Sequence, residues 1–241
     1  MRRRRYLVIL LLIGFWMPRW GPAWAADLMA EALAAQKAGN HEKAAILLQK
    51  YLAKQPQSPA ARLARIDSLM VLKRWEEAVG EANQGLKYQP RNSALLLAKG
   101  KALSGTGRYQ EAIAAFTRAM ASDPKNPEVY KARAEAYAQE GNLEEAFKDA
   151  HQAVVLAPQD PWAYFQRGMV QFSLGKYREA VADMSAAIEL NPEGPLFYFA
   201  RGQLYLQHLK EKEKGVADLK KGCQLGHPLC CQELEKLDLK P

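Results

Sequence analysis

The 241-residue chain has only three cysteines, crowded between positions 223 and 231, and only four histidines, His41, His151, His208 and His227, no two of them four residues apart. A two-histidine metal site on one helix face is thereby excluded. No nucleophile–base constellation, glycine-rich phosphate loop or metal-ligand cluster stands in the sequence. No catalytic residue, no metal and no cofactor is expected, and the chain does not read as an enzyme. Runs of Val, Ile and Thr are few, whereas Ala, Leu, Lys, Glu and Gln are abundant. Helix formers thus outweigh strand formers, and the expectation is an all-α fold.

Acid is missing from the first 25 residues, which hold Arg2, Arg3, Arg4, Arg5 and Arg19. Without that leader, 29 basic residues face 26 acidic ones and the formal charge of +8 falls to +3. The basicity belongs mostly to the leader, so no nucleic-acid partner is expected. Residues 1–25 read as a secretory signal: an arginine-rich start, an apolar stretch from Tyr6 to Trp16, and small residues at Ala23 and Ala25 flanking a cut before Ala26. The stretch is about half the ~20 residues a spanning helix needs. No cysteine stands at the cut to carry a lipid. Arg3 to Leu7 fits a loose twin-arginine pattern, but the strongly apolar core favours the general secretory route. The folded part is expected in a bacterial periplasm or outside the cell. The alternative is an uncleaved inner-membrane anchor with Trp16 and Trp20 at the interface, the one case in which the membrane is a partner.

What the sequence does have is a period. Pro56, Pro90, Pro124, Pro158 and Pro192 stand 34 residues apart, and Ala44, Ala78, Ala112, Ala146 and Ala180 repeat twelve residues before them. Gly39, Gly107, Gly141 and Gly175 share the phase, with Lys73 in the remaining place. Two residues later come His41, Trp75, Tyr109, Leu143 and Tyr177. The alanine suits a close helix crossing. The glycine suits a left-handed helix end, and the proline halts the second helix. The large residue after the glycine is expected to cover the end of its helix pair. Each unit is then a helix hairpin that must stack on its neighbours.

These columns resemble the tetratricopeptide repeat family over about Ala25–His227. Six units follow, 25–58, 59–92, 93–126, 127–160, 161–194 and 195–227, with a capping helix and tail at 228–241. Units three to five are clearest, as in Gly168, Gly175 to Ala180, Ile188 and Asn191-Pro192. Unit one is weak at Ala32 and Ala35. In unit six, Lys210 to Lys214 displace the glycine and aromatic, with one residue inserted. The resemblance implies a right-handed superhelical solenoid whose concave groove is lined by the first helix of each hairpin.

Four units pair a basic residue at the helix crossing with an acid sixteen or seventeen residues on: Arg65 with Glu81, Arg133 with Asp149, Arg167 with Asp183, and Arg201 with Asp218. Ion pairs between the two helices are expected, of the small worth of exposed pairs. The alternative is an arginine ladder that captures acidic ligands.

By the resemblance, partners bind through groove-facing side chains of first helices. In phase these are Met29 and Leu33, Leu63 and Asp67, Leu97 and Lys101, then Lys131 and Glu135. In units five and six they become Trp162, Phe165, Met169 and Phe172, then Leu196, Phe199 and Gln203. The groove is thus expected to be apolar toward its C-terminal half and charged in the middle, where Glu128 and Gln139 also fall. Trp162 and Phe165 are read equally well as partner anchors or as contacts between repeats. Tyr130, Tyr164 and Tyr198 recur in one place and read as packing. The family's carboxylate clamp is not reproduced, since Lys131 alone matches it and the asparagines are absent.

Around the cysteines, Gly222 to Cys231 resembles a junction between Sel1-like repeats. That resemblance implies a Cys223–Cys231 disulfide with Cys230 left over. Three buried apolar thiols, or a zinc site with His227, are the other readings. From Leu229 on, Leu234 and Leu237 are expected to pack a short cap on unit six. The functional expectation is an exported scaffold that holds a protein or peptide partner in its groove, in envelope assembly or secretion. The alternative is a holdase-like chaperone for apolar segments of exported proteins. A small-molecule ligand is not expected.

Overall fold

The computed structural model describes residues 23–237, and the leader's arginines and apolar stretch, with the export signal read there, lie outside the described residues. Among the described residues there are helices and no strands. Six hairpins follow one another: α1 (Ala23–Lys37) with α2 (His41–Lys54), α3 (Pro59–Val71) with α4 (Trp75–Tyr88), α5 (Ser93–Gly105) with α6 (Tyr109–Ser122), α7 (Pro127–Gln139) with α8 (Leu143–Leu156), α9 (Pro161–Ser173) with α10 (Tyr177–Leu190), and α11 (Pro195–Gln203) with α12 (Lys212–Gln224). A last helix, α13 (Pro228–Lys236), closes the array.

The boundaries have local causes. Ser58, Asn92, Asn126 and Asp160, again 34 apart, cap α3, α5, α7 and α9 by accepting hydrogen bonds from Ala61, Leu95, Glu128 and Trp162 N–H. Proline fills the first helical position of α3, α7, α9 and α11, where its missing N–H costs nothing. First helices end on Gly39, Gly107, Gly141 and Gly175 at φ between 73° and 80°. Unit two must use Lys73 at φ 58°, where its Cβ is crowded. A Lys73→Gly variant is expected to gain about 0.5–1 kcal/mol in equilibrium urea unfolding, because glycine relieves that strain.

The crossing alanines Ala44, Ala78, Ala112, Ala146 and Ala180 are fully buried. First helices also touch one another in series, α1 with α3, α3 with α5, α5 with α7 and α7 with α9. That crowding puts them on the inner side of the stack. In units two and five the large residue that opens the second helix does more than cover its own pair. Trp75 packs on Gly105 of the next unit, and Tyr177 stacks on His208 of the next unit at 4.1 Å.

The four charge pairs form between the helices of one hairpin, and three of them continue into the previous one. Arg133 Nε donates to Asp149 at 2.7 Å, Arg167 Nη2 to Asp183 at 2.6 Å and Arg201 Nη2 to Asp218 at 2.8 Å. The Nη1 groups of the same arginines reach Thr117, His151 and Ser185, another column 34 apart. The pairs are not exposed, as the spacing had suggested; the aspartates are buried and the arginines nearly so. The hydrogen bonds that the guanidinium groups donate to these aspartates raise the three arginine pKa values, with burial opposing. In unit two Glu81 is shared by Arg65 and Arg62, a partner not visible from the period. Every arginine of the ladder is therefore occupied from within the chain, which leaves the ligand-capture alternative no free guanidinium there.

Unit six absorbs its extra residue in a π-helical turn, Leu204–Leu209, after which Lys210 takes the left-handed position at φ 60°. The Arg201–Asp218 pair survives because that wider turn restores the facing of α11 and α12. Cys223 and Cys231 are joined as a disulfide between α12 and α13, with Cα atoms 4.9 Å apart. Cys230 points the other way and is buried with Leu219 and Leu234, its thiol pushed up to about 11 by burial and by Asp218. Gly222 has no Cβ because the Cys230 sulfur fills that space. Leu234 packs as expected of a cap, but Leu229 and Leu237 stand exposed.

Candidate binding groove

One cavity of about 840 Å³ opens on the inner face of units three to five. Helix α7 forms its floor with Glu128, Lys131, Ala132, Glu135, Ala136 and Gln139. One wall is the end of α5 with Lys101, Ser104 and Gly105, and the other is α9 with Trp162, Phe165, Gln166 and Met169. Trp75 and Tyr109 close the end formed by the helix C-termini. Its size lies at the upper end of ordinary ligand pockets.

Trp162 is 50 % exposed and Met169 39 % exposed, although both sit on an ordered helix. Trp162 makes T-shaped contacts with Phe165 and Phe197, at 5.7 and 5.1 Å between ring centroids. Phe197 is fully buried and Phe165 half-buried, 5.3 Å from it. The two readings of this pair therefore divide between residues: Phe165 joins repeats, while Trp162 rests on that joint and stays half exposed.

The charged part is mostly self-satisfied. Lys131 Nζ donates to Asp160 at 2.6 Å and lies 2.5 Å from Glu128. Burial pulls its pKa down, but those two carboxylates overcome it and the net direction is up. The charge of Lys131 is thus already countered by two carboxylates of the chain itself. Burial raises the carboxyl pKa of Asp67, with the charge of Lys101 opposing.

The structure thus gathers Lys131, Glu135, Trp162, Phe165 and Met169 into one cavity, and leaves Phe172, Leu196, Phe199 and Gln203 outside its lining. Phe172 leans instead on Tyr177 and His208, at 6.0 and 5.3 Å. Phe199 stacks on His227 at 4.9 Å and packs toward the terminal cluster. Gln203 accepts from Gln207. The cap claims Phe199 and the π-helical turn meets Phe172 and Gln203, so the apolar run ends at unit five. Trp75, Tyr109 and Gln166 were not among the expected groove residues.

A stack of helix hairpins with an inner groove defines a helical-repeat interaction module. Tetratricopeptide repeat models match residues 35–102, 97–161 and 134–205, and the chain belongs to the tetratricopeptide repeat family. No curated protein matches the sequence. Among solved structures, a thermophilic TPR protein of Thermus thermophilus superposes with TM-score 0.65 at 19% identity, over 76% of this chain and 99% of that one. PilF of Pseudomonas aeruginosa gives TM-score 0.70 at 18% identity, over 88% and 96%. YrrB, described as a TPR protein with an unusual peptide-binding site, gives 0.58 at 19%, over 78% and 97%. At these identities the likeness is one of fold.

Proposed function

We propose that this chain is an exported scaffold that holds a segment of a partner protein in the groove of units three to five, serving envelope assembly or secretion. The observation that carries the reading is Trp162, an aromatic half open to solvent beside exposed Met169, in a cavity that mixes apolar side chains such as Trp75, Phe165 and Val170 with the charged Lys101, Glu128 and Glu135. Aromatic anchors of this kind dominate binding hot spots. The arginine-rich leader supports export, and a Cys223–Cys231 bond suits an oxidising compartment. Family membership supports a binding role rather than a catalytic one, and the peptide-binding site named for YrrB supports a peptide as the occupant.

The test is crosslinking in the cell envelope with the tagged chain and with a Trp162→Glu, Met169→Glu variant of unchanged helicity. Both positions are exposed, and the Phe165–Phe197 contact itself is left in place. A short set of partners captured by the native chain and lost from the variant is the expected result. An undiminished set would place binding elsewhere, and a broad set of unfolded exported proteins would favour a holdase.

A further inference from the structure

The charged lining of the cavity balances, Lys101 and Lys131 against Glu128 and Glu135, so net charge selects no occupant there. Position does more. Lys131 is held by Asp160 and Glu128, whereas Lys101 and Glu135 are exposed and, among the described residues, stand in no ion pair. Lys101 on α5, Glu135 on α7 and Met169 on α9 are 34 residues apart, one place in the repeat on three successive first helices. Asp67, the same place on α3, lies outside the lining. Met169 shares α9 with Trp162, and both present exposed apolar surface. Across the groove, therefore, the lining runs cation, anion, apolar in a fixed order.

From this order we infer that the groove takes an extended peptide segment in which a basic residue lies between an acidic one and an apolar one, about three residues from each. The inference rests on the groove reading above and adds the pattern of the occupant. An acid set against Lys101, a base against Glu135 and an apolar side chain on Trp162 and Met169 meet complementary surface at every place. Exchanging the acid and the base sets like charge against like at two places, without altering composition or net charge. The middle place stays basic whichever way the segment runs, because reversal changes the ends and not the centre. First helices touch in series, α5 with α7 and α7 with α9, and that contact sets the spacing. Packed helices lie about 8–10 Å apart, and an extended chain rises about 3.3 Å per residue. Volume supports the extended form. From α5 to α9 a single strand fills roughly 770–960 Å³, and the cavity holds about 840 Å³. A helix over the same span would need roughly 1,300–2,300 Å³.

Two labelled peptides of one composition test this by fluorescence anisotropy on the full chain. One carries Glu, Lys and Phe at every third place, the other Lys, Glu and Phe, with serine between. The first is expected to bind about fivefold more tightly, and the difference to shrink as salt rises. The double variant Lys101→Glu, Glu135→Lys changes only exposed positions and should reverse the preference. Equal binding of both peptides by the native chain, both weakened by Trp162→Ala, would overturn the charge order while leaving the groove as the site. A preference that the double variant does not reverse would overturn it too. Binding indifferent to Trp162→Ala, or no binding of either peptide, would overturn the groove reading as well.

Discussion

An Asp183→Leu variant is expected to lose about 3–5 kcal/mol of unfolding free energy, far more than an exposed ion pair is worth. Arg167 Nε and Nη2 each donate to this carboxylate, at 2.8 and 2.6 Å, with 17 % and 7 % of the two side chains exposed. Removing the acid leaves a guanidinium that cannot shed its proton and has little access to bulk water. Its remaining contacts, His151 Nδ1 at 3.1 Å and the Tyr164 ring at 5.6 Å, do not replace a counter-charge. Arginine has no acceptor, so that His151 nitrogen must be accepting.

The paired variant Arg167→Met, Asp183→Leu should recover at least half of the loss, since neither partner is then left charged and buried. Urea unfolding followed by far-UV circular dichroism measures both. An Asp183→Leu loss below about 1 kcal/mol would mean that water reaches the pair and that it acts as a surface bridge. A double variant as unstable as the single would mean that the pair sets the approach of α9 to α10. Gly168 gives that second outcome a structural meaning, because a Cβ there would come within 3.2 Å of Asp183 Cβ.

The solenoid was legible because each column answers a demand local to one hairpin. Gly141 is needed wherever a helix must end left-handed, Ala146 wherever two helices cross closely, and Pro158 wherever the second helix must stop. The cap column of Ser58, Asn92, Asn126 and Asp160 answers an equally local demand and was readable by the same counting. Phase alone also gathered Lys131, Glu135, Trp162, Phe165 and Met169. It failed where neighbours intervene. Phe199 shares the phase of Phe165, but α13 and His227 occupy the space that a seventh first helix would leave open. Trp75 was read as a cover for its own hairpin, whereas its ring reaches Gly105 thirty residues on. The Arg62–Glu81 pair occurs in one unit only, so no period could announce it. Nor does spacing report burial, which turns the charge pairs from minor register devices into the features most costly to break.

Phe116→Ala is expected to cost about 3–5 kcal/mol and to broaden the unfolding transition. The ring is fully buried in the largest core cluster and also closes the underside of the groove. It fits because Gly100 on α5 has no side chain; a Cβ at Gly100 would overlap the ring itself. This fit makes a second, less obvious expectation. Gly100→Ala gains up to about 1 kcal/mol of helix propensity, yet overpacking costs about 1–3 kcal/mol, so the variant should be less stable than the native chain. Adding Phe116→Leu to Gly100→Ala should cost less than the two changes do separately, because the smaller side chain vacates the space that the new methyl needs. Strict additivity would show that α5 and α6 shift apart to admit the methyl. Equilibrium unfolding of all four proteins distinguishes these outcomes. A broadened transition in Phe116→Ala alone carries further weight: unit three lies inside the array, and weakening it lets the units on either side melt apart, which opens the groove before the chain as a whole unfolds.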